Sequence, residues 1–166
     1  LALTVAGTKS LEIGGGIIYT ATNGKIRSAA SAGSLELSGG GGEVGGQILL
    51  RGGAGDADII LKTSSGSTSA TERMRIRTDG NVGIGSSGMP SNTSYRQLSI
   101  GPMAHIMAEH TSGAGKSLHI SQNAHLDTDS SWETMETDEA SNYYQHAGGH
   151  YWRGSASTSA GTDITW

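Results

Sequence analysis

Apolar residues in this chain come in short alternating runs, and glycine or another turn residue stops nearly every run. Ser34-Leu35-Glu36-Leu37-Ser38 runs into Gly39, residues 47–51 end at Gly52-Gly53, and Arg73-Met74-Arg75-Ile76-Arg77 is followed by Asp79-Gly80. Asn81-Val82-Gly83-Ile84-Gly85 carries glycine within the run itself. A period of two sends alternate side chains to opposite faces of a strand, so the pattern predicts many short strands joined by tight turns. Further strands are expected at residues 1–5, 11–13, 17–20, 58–63, 97–101, 103–107, 117–121, 132–137, 151–153 and 162–166, with a hairpin turn at Asn23-Gly24. Residues 138–145 are the only stretch read as helical, and they are too few to hold a helix alone.

Composition decides how such strands can be stabilised. The chain has 27 glycines and no Phe, and hydrophobic residues make up only 34% of it. Each glycine in a regular element costs roughly 0.5–1 kcal/mol relative to alanine, because the unfolded chain has more freedom to lose. A lone protomer has little apolar volume with which to offset that cost. Disorder is the alternative, but it goes with high net charge and few β-branched residues. Here the formal charge is only -4 and Ile, Val and Thr are frequent, so burial of small apolar residues against further copies of the chain is the preferred reading.

The same numbers exclude several classes. A pI near 5.8 with scattered basic residues does not suit a phosphate-binding surface, so nucleic acid is not an expected partner. Arg73, Arg75 and Arg77 alternate with Met74 and Ile76 and mark one strand face. No cysteine is present for a disulfide or a thiolate metal site. No apolar run approaches the roughly 20 residues that span a bilayer, so membrane insertion is not expected. Leu1 and Trp166 read as cuts through a longer polypeptide.

The segment Glu72-Arg73-Met74-Arg75-Ile76-Arg77-Thr78-Asp79-Gly80-Asn81-Val82-Gly83-Ile84-Gly85 resembles a recurring motif of bacteriophage tail fibres, especially those of marine and cyanobacterial phages. Residues 46–53 and the stretch from Ile120 to Trp132 share the style of these fibres, while residues 86–90 depart slightly from it. The resemblance implies an all-β, elongated, intertwined parallel homotrimer located in the tail fibre of a virion. Its partners would be two further copies of itself, other virion tail proteins and a host surface glycan. Val82 and Ile84 would point towards the threefold axis, with Gly83 and Gly85 letting the backbones come close there. Residues 1–90 are read as a glycine-rich shaft unit, 91–97 as a linker, and 98–166 as a second, knob-like β unit cut at its C-terminal end.

Other motifs have plainer explanations. Gly40 to Gly45 fits G-x-G-x-x-G, but the strand expected after it cannot supply the helix N-terminus that a dinucleotide needs. Gly115-Lys116-Ser117 lacks the first glycine of a phosphate loop, since position 110 is His110. All six histidines, His105, His110, His119, His125, His146 and His150, follow residue 100 without metal-ligand spacing, so no metal or other cofactor is expected. Asp127, Asp129, Glu133, Glu136, Asp138 and Glu139 crowd one region. A polysaccharide-cleaving tailspike would use two such carboxylates, but a solvated loop face is the simpler reading, and no catalytic residue is assigned. Trp132, Tyr143, Tyr144 and Trp152 are candidate glycan contacts, with packing of an interchain core as the competing role. The function expected is a non-enzymatic fibre segment that holds or contributes to the host-attachment tip. A carbohydrate-binding receptor module is the alternative, and a depolymerase stands behind it.

Overall fold

A computed structural model describes residues 33–39, 44–53, 57–66, 68–90, 92–113 and 116–166. The expected strands at 1–5, 11–13 and 17–20 and the turn at Asn23-Gly24 lie outside the described residues. Within them the fold is all-β. The strands are β1 (Leu35–Ser38), β2 (Gln47–Leu50), β3 (Ile59–Thr63), β4 (Thr71–Ile76), β5 (Val82–Ile84), β6 (Tyr95–Ile100), β7 (Ala104–Glu109), β8 (Ser117–Gln122), β9 (His125–Leu126), β10 (Trp132–Glu133), β11 (Asp138–His146) and β12 (Gly149–Thr158).

Ten of these form one sheet in the order β1-β2-β3-β4-β5-β6-β7-β8-β11-β12, and β9 pairs with β10 in a small second sheet. The large sheet is antiparallel except where β5 runs parallel to β6. A parallel neighbour requires the chain to cross back over the sheet, and the segment between β5 and β6 makes that crossing. Its Met89 is buried against the sheet at 5% exposure. Residues 95–97, expected in a linker, are part of β6, so the sheet continues without a break between the two anticipated units.

Residues 138–145 are not helical. They lie in β11, hydrogen-bonded on one side to β8 and on the other to β12. The period of two is hard to see there because Ala140, Asn142 and Tyr144 alternate with Ser141 and Tyr143, without contrast in polarity. Residues 132–137 form only the two-residue β10, and 162–166 contribute a single bridge between Asp163 and Glu133.

The register sorts the side chains into two sharply different layers. Leu35, Leu50, Ile59, Ile76, Val82, Leu98, Ile106, Ile120, Tyr143 and Trp152 are successive cross-strand partners, one from each strand of the large sheet. Every member of this row is apolar or aromatic. A second row on the same face runs Leu37, Ile48, Leu61, Met74, Ile84 and Ile100 across β1 to β6. No element of the described chain covers this face, and Leu37, Ile84, Ile100 and Ile120 are 53%, 42%, 50% and 47% exposed.

The opposite face is the covered one. Its matching row is Glu36, Leu49, Ile60, Arg75, Gly83, Ser99, His105, Ser121, Asn142 and Arg153. The crossing between β5 and β6, the β9–β10 segment and the chain around Ile164 and Trp166 lie over it. Ser99, His105, Ser121 and Asn142 are buried there beside Met107 and Ala140. Ala124, Ala140 and Ile164, with Trp132 and Trp166 against them, make the one apolar cluster of the covered side among the described residues.

Candidate functional site

Two places combine exposure with chemistry: the open apolar face, and an aromatic cleft on the covered side at the β8–β11–β12 end.

Val82 and Ile84 stand on the open face, where Val82 meets Leu98 and Ile76 and Ile84 meets Ile100 and Met74. The two glycines beside them have separate local roles. Gly83 looks to the covered side, where a Cβ would fall 2.3 Å from the Ser86 carbonyl oxygen and 2.9 Å from Met89 Sδ. The chain's own crossing therefore demands a glycine at this position. Gly85 has φ of 65°, and its N–H donates to the Arg73 carbonyl at 2.8 Å as the chain leaves β5.

The arginines of the motif lie on the covered side. Arg75 is held between carboxylates, with Nη1 on Asp58 Oδ2 at 2.5 Å and Nη2 on Glu72 Oε2 at 2.6 Å. The Glu72 hydrogen bond, helped by Asp58, outweighs burial and raises its pKa above the ordinary value. Asp58 also accepts from the Thr78 N–H, so this network ties β3, β4 and the turn after β4 together.

The covered layer is held by polar groups that satisfy one another. Asn123, at φ of 54°, receives the N–H groups of Met135 and Glu136 on Oδ1, and donates from Nδ2 to the carbonyls of Glu136 and Glu139. Ser121 Oγ donates to the Ala124 carbonyl at 2.7 Å. His105 Nδ1 lies 2.9 Å from Ser99 Oγ, and burial pushes its pKa down to about 4. Burial lowers His119 and His125 in the same direction. All three are therefore neutral at physiological pH.

The four candidate glycan residues divide between the faces. Tyr143 and Trp152 pair on the open face, ring centroids 4.4 Å apart, at the β12 edge, and Trp152 is 80% exposed. Trp132 and Tyr144 belong to the cleft on the covered side, where Arg153 brings them together. The Arg153 guanidinium carbon lies 4.8 Å from the centroids of both rings and 4.3 Å from that of Trp166. Tyr144 is further enclosed by Tyr151 and His119, stacked on it at 4.7 and 5.2 Å.

The cleft has a volume of about 390 Å³ and is walled by Tyr95, Glu109, His119, Trp132, His146 and Arg153. Arg153 Nε donates to Asn142 Oδ1 at 3.2 Å, which leaves that oxygen to accept from His119 Nδ1 as well. Glu109 receives the Ser117 N–H at 2.8 Å, and this bond, with Lys116 nearby, holds its carboxyl below the usual range. Arg153, Tyr95, Glu109 and Trp166 were not singled out from the sequence as site residues, and His119 was weighed there only as one of six histidines. The alternation Tyr151-Trp152-Arg153 carries the signal for the first of them, since it sets Arg153 opposite Trp152.

The remaining sequence candidates are accounted for locally. Residues 40–43 lie outside the described residues, and residues 47–50 just beyond are β2. Lys116 pairs with Glu109 at 3.6 Å. Asp127 Oδ1 accepts the N–H groups of Asp129 and Ser131 and so builds a turn. Among the described residues no group of three or more His, Asp or Glu could hold a metal ion, and no helix is long and apolar enough to cross a membrane. Comparison with protein-family models, curated proteins and solved structures finds no match to this chain.

Proposed function

We propose that this chain is a structural segment of a phage tail fibre, assembled as a homotrimer that turns its three apolar sheet faces inward around a common axis. The observation that carries the proposal is the row from Leu35 to Trp152, apolar on every strand of the large sheet and uncovered by the described chain. A monomer gains nothing by aligning ten such residues on one face and leaving them in water. Contiguous apolar surface of this extent marks an interaction site.

Size supports the same reading. Ten strands at about 4.8 Å spacing make the sheet about 43 Å wide, and its shorter strands make the face about 15 Å tall. The projected area of roughly 650 Å² is of the order of the ~800 Å² per partner in a standard stable interface. A closed threefold arrangement gives every face two neighbours and leaves none in water. Three open sheets meeting this way interleave Ile, Leu and Val side chains in a shared interior, as in packed β-sandwiches. Repeated along an axis, such units form a stiff, slowly unfolding shaft that holds an attachment tip away from the virion.

A low-resolution cryo-electron microscopy map of the purified chain tests the proposal. Three copies about an axis, with the β9–β10 side outward, is the expected result. Single sheets, or pairs joined through the β9–β10 side, would overturn it.

A further inference from the structure

We infer that the cleft around Arg153 binds a sugar acid: the guanidinium takes the ligand's carboxylate, while Glu109, His146 and Tyr95 take its hydroxyl groups. The cleft lies on the covered side of one chain's sheet, so this inference goes beyond the structural role and does not depend on how the chains associate.

The argument starts from the arginine. A guanidinium has five N–H donors and keeps its charge. Arg153 is half-buried among Trp132, Tyr144 and Trp166, yet only its Nε has a protein acceptor among the described residues. No carboxylate of the described chain pairs with it. Arg75 shows what a purely structural arginine receives here, with both terminal nitrogens on carboxylates. Arg153 instead presents a free fork, fixed in orientation by three rings, to an open cleft. Such a pre-organised fork matches the two oxygens of a carboxylate.

The rest of the wall selects among anions. Glu109, even paired with Lys116 at 3.6 Å, puts a carboxylate on the same cleft and so favours one localised negative charge over a compact dianion such as phosphate. A sugar acid separates one negative charge from several hydroxyl groups. Its carboxylate reaches Arg153 while its hydroxyls donate to Glu109 and exchange hydrogen bonds with Tyr95 and His146. The Tyr95 hydroxyl already lies 2.9 Å from Ser117 Oγ, which orients it at the wall.

The test titrates the full chain with galacturonate, its neutral methyl ester and inorganic phosphate, by calorimetry and by the fluorescence of Trp132 and Trp166. Galacturonate is expected to bind in the millimolar range or tighter, and the ester and phosphate about tenfold or more weakly. Arg153→Lys keeps the charge without the fork and is expected to lose about tenfold in galacturonate affinity. His146→Trp, at the exposed rim, narrows the cleft without touching Arg153 and lowers affinity severalfold in calorimetry even if the lysine variant is poorly folded. Equal binding of acid and ester, equal binding of phosphate, unaltered affinity in His146→Trp, or no heat with any ligand at millimolar concentration would each overturn the inference.

Discussion

Two rows of residues, offset by one position along every strand, run side by side across the large sheet and have opposite character. On the open face stand Ile76, Val82, Leu98, Ile106 and Ile120; one residue away, on the covered face, stand Arg75, Gly83, Ser99, His105 and Ser121. In a self-sufficient domain the covered face would be the apolar one. Here the described chain folds its own loops over the polar row and leaves the apolar row uncovered. The polar side is organised by directional bonds, such as those of Asn123 and Ser99, which fix register and loop path. The apolar side offers area without direction, which suits association with copies of the same face. On the proposed reading, one face specifies the tertiary structure and the other the assembly.

The contrast is broken most severely by a charge on the open face. Ile106→Asp is expected to abolish association, because an unpaired carboxylate in a shared interior costs roughly 3–5 kcal/mol per copy, repeated in every chain. Sedimentation velocity would show the variant as a monomer while far-ultraviolet circular dichroism keeps its β signature.

The covered face responds to pH instead. His105 has a folded pKa of about 4, below its ordinary 6.5, so the unfolded chain binds the proton more readily. The stability difference is absent above pH 6.5, develops as pH falls below it, and reaches on the order of 3 kcal/mol of destabilisation near pH 4. His119 and His125 act in the same direction. Urea midpoints read by near-ultraviolet circular dichroism should fall between pH 7 and 5, before carboxylates such as Glu109 begin to protonate. A flat profile over that range would contradict the buried neutral histidines.

Gly83 and Gly88 sharpen the comparison through the crossing between β5 and β6. Gly83→Ala must displace the backbone at Ser86, and is expected to cost about 1–3 kcal/mol in the denaturation midpoint. Gly88→Ala meets nothing within 4 Å and is expected to change stability by less than about 0.5 kcal/mol. An effect between those two glycines belongs to the end of the apolar row. Trp152 rests on Tyr143 at the sheet edge, and Trp152→Ala should cost about 0.5–1.5 kcal/mol by the same measurement.

Most strands of the described region were legible because apolar and polar residues alternate in them, as in Arg73 to Arg77. The strand at 138–146 was hidden by its partners: Ala140 sits under Ile164, and Asn142 answers His119 and Arg153, so polarity does not alternate with burial. Gly83 was recognisable as a point of close approach, but the approaching atoms belong to the crossing at Ser86 and Met89. The parallel β5–β6 pair that creates this crossing has no signature in the alternation. The cleft was half legible. Trp132 and Tyr144 stood out as aromatics, whereas Arg153 acquires its place only when β12 aligns with β11. The split of Tyr143 and Trp152 from Tyr144 and Arg153 follows from parity along β11 and β12, while Trp132 reaches the cleft from β10.

Sedimentation equilibrium at neutral pH measures the mass of the particle in solution and bears most directly on the uncovered apolar face. Three chains of 17.0 kDa predict a particle of about 51 kDa that does not dissociate at micromolar dilution. A stable species of 17.0 kDa across the concentration range would mean that the Leu35-to-Trp152 row remains in water, and the account would be wrong.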